Sequence, residues 1–234
     1  ENSCDVGIIF DGDADRVMFV DEKGKFIQPD LMIAVLADYY SGKGYKGRCL
    51  QDIRTSKSVT EYVESKGFEM DIWRVGRAYA ALKLREIDGL FGGELAGHYY
   101  FREFYYSDSA YLAALLLLGE IQKAKLKNIP LSLLINNISN YFGSGEINLQ
   151  IENKQGAIGV LVKEIKKCEL PTKIIDFDGY RLEFTDWWFN IRPSNTEPYL
   201  RLIIEAKTPI LLEQKLNAIM KILQPFISPH SHGH

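Results

Sequence analysis

Residues 48–75 read RCLQDIRTSKSVTEYVESKGFEMDIWRV, and this stretch decides the fold of the first part of the chain. Arg48 to Ile53 reads as a strand, and Thr55-Ser56 supply the hydroxyls that open a helix running to Lys66. Phe68 to Val75 then reads as a second strand. Strand, helix and strand in about thirty residues make a βαβ unit, whose crossover sets the two strands parallel.

The same alternation extends on both sides. Downstream come a helix after Gly76 to Arg85, a strand from Gly89 to Phe91 and a helix from Ser107 to Lys123. Upstream, Pro29-Asp30 open a helix from Leu31 to Tyr40 whose Leu31, Val35, Leu36 and Tyr39 share one face. Two strands, Val6 to Phe10 and Val17 to Val20, precede it and bracket an acidic loop. The expectation is an α/β three-layer domain on a mainly parallel sheet. Lys123 to Pro130 reads as a linker. Beyond it come helices at Leu131 to Tyr141, Gln155 to Lys167 and Leu211 to Leu223, a strand at Gly145 to Ile151, and several strands between Lys173 and Ala206. Short turns such as Asp178-Gly179 join those strands, which predicts a small α+β domain with an antiparallel sheet.

The 234 residues are 46% hydrophobic and 25% charged, a globular composition that excludes disorder and fibrous repeats. Lys plus Arg against Asp plus Glu gives 28 − 31 = −3, so no bulk positive field draws nucleic acid or an anionic membrane. The apolar run Ala110 to Gly119 falls far short of the ~20 residues of a membrane span. Cys4, Cys49 and Cys168 are odd in number and never paired as Cys-x-x-Cys. That predicts plain thiols in a reducing, cytoplasmic setting, with neither disulfide nor zinc. Three of the four histidines lie in the last residues, Ser228 to His234, and read as a terminal tail.

Three loops carry chemistry. Asp11-Gly-Asp13-Ala-Asp15-Arg16 follows an apolar strand and presents carboxylates at alternate positions, the oxygen donors a hard divalent cation such as Mg²⁺ takes. Glu22 stands at the twelfth position of this loop, as in a calcium-binding EF-hand. Arg16 at the sixth position, where that loop needs glycine, and the strand that follows exclude the EF-hand reading. Gly92-Gly-Glu94-Leu-Ala96-Gly-His98 surrounds one carboxylate and one imidazole with glycines, so a hydroxylated ligand can approach the backbone. Asn190-Ile-Arg192-Pro-Ser194-Asn195-Thr196-Glu197-Pro198 joins a guanidinium to hydroxyls, an amide and free N–H groups, a clasp for a phosphate monoester. Arg54 and Arg77 stand at strand ends, where open α/β sheets place ligands.

In this order the three loops resemble those of the α-D-phosphohexomutases, the superfamily of phosphoglucomutases, phosphomannomutases and phosphoglucosamine mutases. The stretches HYYFREFYYSDSA (98–110), GSGEIN (143–148) and FTDWWFNIRPSNTEP (184–198) lean towards the bacterial phosphomannomutases. The resemblance implies a C-terminal piece of a four-domain enzyme, lacking the domain with the phosphoserine motif and inactive alone. It implies residues 1–28 as the end of domain II, 29–125 as domain III and 126–234 as domain IV. It further implies interconversion of mannose 6-phosphate and mannose 1-phosphate through a phosphoserine enzyme and a hexose bisphosphate. Phosphoglucomutase and phosphoglucosamine mutase are the alternatives, and a non-catalytic sugar-phosphate-binding module is the alternative of another class. Mg²⁺ would sit on Asp11, Asp13 and Asp15. Arg16, Arg54 and His98 would serve catalysis. Arg77, Glu94, His98, Arg192, Ser194, Asn195 and Thr196 would bind the hexose phosphate. Arg77 stands where many relatives carry His, and Ala96 replaces a serine common in the sugar loop.

Overall fold

Helix α1 (Leu31–Gly42) is apolar on every side, and Met32, Ile33, Val35 and Leu36 have no exposed surface. Such a helix must run through a core. The computed structural model describes residues 4–194 and 197–228, and the chain divides into two units, 1–140 and 141–234.

In the first unit, β1 (Val6–Phe10), β2 (Val17–Asp21) and β3 (Phe26–Ile27) form an antiparallel sheet. Phe10 pairs with Val17, so the acidic loop closes the β1–β2 hairpin. The second sheet comprises β4 (Gly47–Asp52), β5 (Phe68–Trp73), β6 (Phe91–Gly93), β7 (Tyr99–Phe101) and β8 (Ser107–Asp108), in the order β5-β4-β6-β7-β8. β4 runs parallel to both neighbours, through crossovers that carry α2 (Lys57–Ser65) and α3 (Arg77–Glu86). The βαβ reading of residues 48–75 therefore holds. β6–β7 and β7–β8 are antiparallel, which makes the sheet mixed. This return is invisible in the sequence pattern because its turn is made by Tyr105 and Tyr106, at φ 57° and 62°, where glycine or asparagine is usual.

Helix α4 (Ala110–Leu126) is capped by the Ser109 hydroxyl, which accepts from Leu112 N–H at 3.2 Å. It continues through the lysines expected to form a linker. Helix α5 (Leu131–Ile138) then buries Leu131, Ile135 and Ile138 in the same core as α1, so the chain divides after Asn140 rather than at Lys125. Val17, Phe19 and Ile27 also enter that core, so residues 4–28 form no separate body. No helix among the described residues is long and apolar enough to cross a membrane.

The second unit is the antiparallel sheet expected there. β10 (Ile147–Gln150), β14 (Tyr199–Ala206), β13 (Trp187–Pro193), β12 (Tyr180–Glu183) and β11 (Lys173–Ile175) lie in that order, with β9 (Phe142–Gly143) on the far end of β14. Helices α6 (Lys154–Cys168) and α7 (Pro209–Leu223) cover one face. Alternation along β13 sends Trp187, Phe189 and Ile191 into this core and Trp188, Asn190 and Arg192 to the other face. There the Arg181 guanidinium stacks 3.8 Å from the Trp188 ring and reaches Glu183 at 2.7 Å.

Gly179, at φ +85°, turns the chain into β12 beside the strand that delivers Arg192. A Cβ there would lie against the Ile191 carbonyl oxygen and 2.5 Å from Arg192 Cβ. Gly179→Ala should therefore destabilise the protein by about 1–3 kcal/mol, the usual cost of a forced left-handed residue. Urea unfolding of the two proteins checks this, and equal midpoints would refute it.

Candidate active site

Because β4, β5 and β6 are parallel, the segments that follow them emerge on one edge of the sheet, the place where open α/β sheets hold ligands. Asp52 ends β4 and Arg54 follows it, Gly76-Arg77 follow β5, and Glu94 to His98 follow β6. At that edge Asp52 is buried and fully engaged. Its Oδ1 accepts from Arg54 N–H (2.6 Å) and Nε (3.1 Å), while Oδ2 accepts from the second Arg54 guanidinium nitrogen and from Leu95 N–H, each at 2.8 Å. Burial alone would raise the Asp52 pKa, but Arg54 and these N–H donors hold it below the usual carboxylate range.

Leu95 belongs to the glycine-rich loop, a tight turn with Gly97 at φ +93° and Glu94 N–H donating to the His98 carbonyl at 2.9 Å. Gly97 brings the turn against β2, where its carbonyl accepts Val17 N–H at 3.1 Å. A Cβ on Gly97 would stand 3.1 Å from the Val17 carbonyl oxygen, too close for comfort. That approach sets the acidic hairpin loop beside the glycine-rich loop.

Glu94 is 3% exposed. Tyr100 donates its hydroxyl to Glu94 Oε1 at 2.7 Å, and the Arg54 guanidinium lies 3.8 Å from Oε2. Burial first, and the Asp52 charge second, push the Glu94 pKa up, and the Tyr100 hydroxyl opposes them. In His98, Nδ1 sits 2.8 Å from Asp108 Oδ2. Burial would lower the His98 pKa, yet Asp108, with Glu94 and Asp15 near, holds it above the ordinary value. Arg77 reaches Asp108 Oδ1 through Nε at 2.7 Å and lies 3.8 Å from Asp15.

In the acidic loop, Ala14 at φ 57° folds the backbone so that oxygens of Asp11, Asp13 and Asp15 all lie within 4.8 Å of one another. Three hard oxygen donors at that spacing fit a divalent cation. Arg16 Nε holds Asp11 Oδ2 at 2.5 Å, and Arg16 N–H adds a bond of 3.2 Å to Oδ1. Burial raises the Asp11 pKa, and these Arg16 contacts outweigh it and lower it.

Eight of the residues singled out in the sequence thus meet in the first unit: Asp11, Asp13, Asp15, Arg16, Arg54, Arg77, Glu94 and His98. In the second unit, Arg192 is the penultimate residue of β13 at 6% exposure, and Ser194 N–H bonds the Tyr199 carbonyl at 2.9 Å. The Ser194 hydroxyl accepts Glu197 N–H at 3.2 Å. Asn195 and Thr196 lie outside the described residues, as does most of the histidine-bearing tail. Sequence reasoning missed Asp52, Tyr100 and Asp108 as members of the site. Asp52 alone carried a signal, an acidic residue two positions before Arg54 at a strand end.

Two family descriptions match the chain: "Phosphoglucomutase/phosphomannomutase, alpha/beta/alpha domain III" over residues 28–141 and "Phosphoglucomutase/phosphomannomutase, C-terminal domain" over residues 146–222. A phosphomannomutase of Methanocaldococcus jannaschii is 34% identical over 223 residues, covering 95% of this chain and 48% of that protein. A probable phosphoglucosamine mutase of Thermococcus gammatolerans is 33% identical over 219 residues, covering 93% of this chain and 47% of its own. A solved phosphoglucomutase/phosphomannomutase family protein from Burkholderia thailandensis superposes with a TM-score of 0.78 at 25% identity, covering 97% of this chain and 48% of that one. The chain spans about half the length of the curated relatives it matches.

Tyr100→Phe should shift the Glu94 carboxyl pKa further upward, since the hydroxyl bond that favours its charged form is lost while burial and Asp52 remain. A carboxyl carbon NMR titration of the two proteins reads this directly, and an unmoved or lowered pKa would contradict the assigned bond.

Proposed function

The chain belongs to the phosphoglucomutase/phosphomannomutase family, and from that premise we propose that it is the metal- and sugar-binding half of a phosphomannomutase. In a polypeptide of the relatives' length, that enzyme moves a phosphoryl group from a phosphoserine to a hexose phosphate and recovers the other phosphate from the bisphosphate. Mannose 6-phosphate and mannose 1-phosphate interconvert. Residues 1–28 are then the end of the family's second domain, and the rest its third and fourth.

The observation that carries this reading is the Val17–Gly97 hydrogen bond, which sets a three-carboxylate loop beside the Glu94 and His98 loop on the sheet edge that also bears Arg54 and Arg77. Mg²⁺ held by Asp11, Asp13 and Asp15 would neutralise charge on the transferring phosphoryl, the electrostatic work on which this reaction class depends. Arg16, fixed on Asp11, keeps that carboxylate oriented and ionised. Glu94 accepts hydrogen bonds from ring hydroxyls, a role that suits a buried carboxylate with an oxygen still offered to a ligand. Arg54, clamped by Asp52, presents a fixed guanidinium at the same edge. His98 takes the proton of the attacking sugar hydroxyl and, in the return step, where a sugar oxygen is the leaving group, gives that proton back to the sugar oxygen. Arg192, Ser194, Asn195 and Thr196 hold a phosphate that is not being transferred. Relatives bearing different sugar names match almost equally well, so the choice of mannose rests on the stretches 98–110, 143–148 and 184–198.

The test is a coupled assay with Mg²⁺ on a polypeptide of the relatives' length, comparing mannose 1-phosphate with glucose 1-phosphate and glucosamine 1-phosphate. Turnover fastest on mannose 1-phosphate is expected, with none by the 234-residue chain alone. Asp13→Ala should lower kcat on the order of 10²-fold and weaken Mg²⁺ binding to the chain by calorimetry. Preference for another sugar would reassign the substrate, and inactivity on all three with retained hexose phosphate binding would make this a binding module.

A further inference from the structure

Asp108 is absent from every loop the sequence singled out, yet its carboxylate has no exposed surface and lies at the centre of the site. Its two oxygens are divided: Oδ1 takes Arg77 Nε at 2.7 Å, and Oδ2 faces His98 Nδ1 at 2.8 Å. Ser107 Oγ stands 3.5 Å from Oδ1 as a weaker neighbour. β8 pairs Asp108 with Tyr100, the residue whose hydroxyl holds Glu94. The position of Asp108 is thus set by its pairing with the strand that leaves the His98 loop.

We infer that Asp108 is a positioning residue for His98, fixing the imidazole in the Nδ1–H tautomer so that Nε2 is the nitrogen that exchanges a proton. An ionised carboxylate can only accept hydrogen bonds, so the nitrogen facing it must carry the hydrogen. Arg77 supplies the charge that keeps Asp108 ionised and the donor that stops it rotating. Despite burial, which would raise it, the Asp108 pKa is held below the usual range by His98 and Arg77. A buried carboxylate that fixes the tautomer of a proton-transferring imidazole is a general device for setting which nitrogen meets the substrate. The consequence for turnover rests on the mutase reading; the tautomer does not.

The arrangement makes a specific demand on Asp108→Asn. Arg77 Nε–H still needs an acceptor, so the amide oxygen stays with Arg77 and the amide NH₂ turns to His98. Nδ1 must then accept, and the proton moves to Nε2. In ¹⁵N-imidazole NMR of the chain, at a pH where His98 is neutral, the wild type should show the Nδ1–H pattern and Asp108→Asn the Nε2–H pattern. His98 is the one histidine outside the C-terminal tail, which makes its signals assignable. Adding Arg77→Met to Asp108→Asn frees the amide to turn and should restore Nδ1–H, a rescue that mere structural damage would not give. In a polypeptide of full length, Asp108→Asn should lower kcat by about tenfold or more while KM stays within about twofold, as expected when proton transfer is impaired and binding kept.

An Nε2–H pattern in the wild type, or a tautomer and kcat untouched by Asp108→Asn, would overturn the inference. The wild-type spectrum decides it even if the variant fails to fold. A full-length enzyme inactive on every hexose phosphate, with His98 in the Nδ1–H form, would remove the mutase reading and leave the role of Asp108 in place.

Discussion

A buried carboxylate must be fully hydrogen-bonded, and Asp52 meets that demand by joining two segments 43 residues apart in sequence. The same two oxygens that clamp Arg54 also receive the Leu95 N–H of the glycine-rich loop. The cation after β4 and the turn after β6 are therefore placed by a single charge. Removing that carboxylate would leave a guanidinium 8% exposed without its principal counter-charge, and a loop N–H without an acceptor. The orientation of Glu94 follows from this link, because its carboxylate lies between Arg54 and Tyr100. Through Gly97 and Val17 the constraint reaches the acidic hairpin. Four sequence segments thus share one geometry whose origin is the cost of burying a charge.

The same residues define the electrostatics of the edge. Asp11, Asp13, Asp15, Asp52, Glu94 and Asp108 face Arg16, Arg54 and Arg77, and three cations minus six anions gives 3 − 6 = −3. A carboxylate-rich edge of that sign repels a phosphate dianion unless a cation intervenes. The deficit also acts behind the site, where burial and the Asp52 charge push the pKa of Asp30 up to about 6, against the Ser56 N–H bond that lowers it. Two carboxylates with no exposed surface to speak of, Asp30 and Asp52, thus take opposite directions. Asp30 has only backbone N–H donors, while Asp52 has a guanidinium. A divalent cation on the acidic loop would offset two of the three excess charges. Charge balance and the spacing of Asp11, Asp13 and Asp15 point to the same occupant for independent reasons.

Much of this was legible in the sequence, for identifiable reasons. Residues 48–91 alternate strand and helix with caps and glycine breaks at each junction, so local chemistry and tertiary structure agree. The three loops were legible because their residue types are those the chemistry needs. What the sequence withheld depends on distant partners. The hairpin of β7 and β8 turns on two tyrosines in left-handed backbone, a conformation that no turn-forming residue announces. Leu131, Ile135 and Ile138 are spaced as an amphipathic helix, but periodicity cannot say which core receives them, and the lysines and Pro130 before them imitate a linker. Asp108 precedes a helix cap in a run of aromatics, and nothing local marks it as the partner of His98, the residue just before β7.

Arg77 gives this site a character of its own. The family resemblance leads one to expect a histidine there, a group whose charge depends on pH and whose ring offers two nitrogens in fixed directions. Arginine is charged at every accessible pH and carries five donors on a longer arm. Here one donor, Nε, is committed to Asp108, while the side chain stays 57% exposed. The terminal nitrogens are therefore still offered to solvent or ligand, within 3.8 Å of Asp15. A histidine in that place could pin Asp108 or face a phosphate, but its protonation would govern both. With arginine, the carboxylate beside His98 has a counter-charge that does not itself titrate, and that cation also lies 3.8 Å from Asp15 of the acidic loop. The departure from the family pattern thus makes the His98–Asp108 pair less dependent on its surroundings, and it does so without withdrawing positive charge from the edge where a phosphate would arrive.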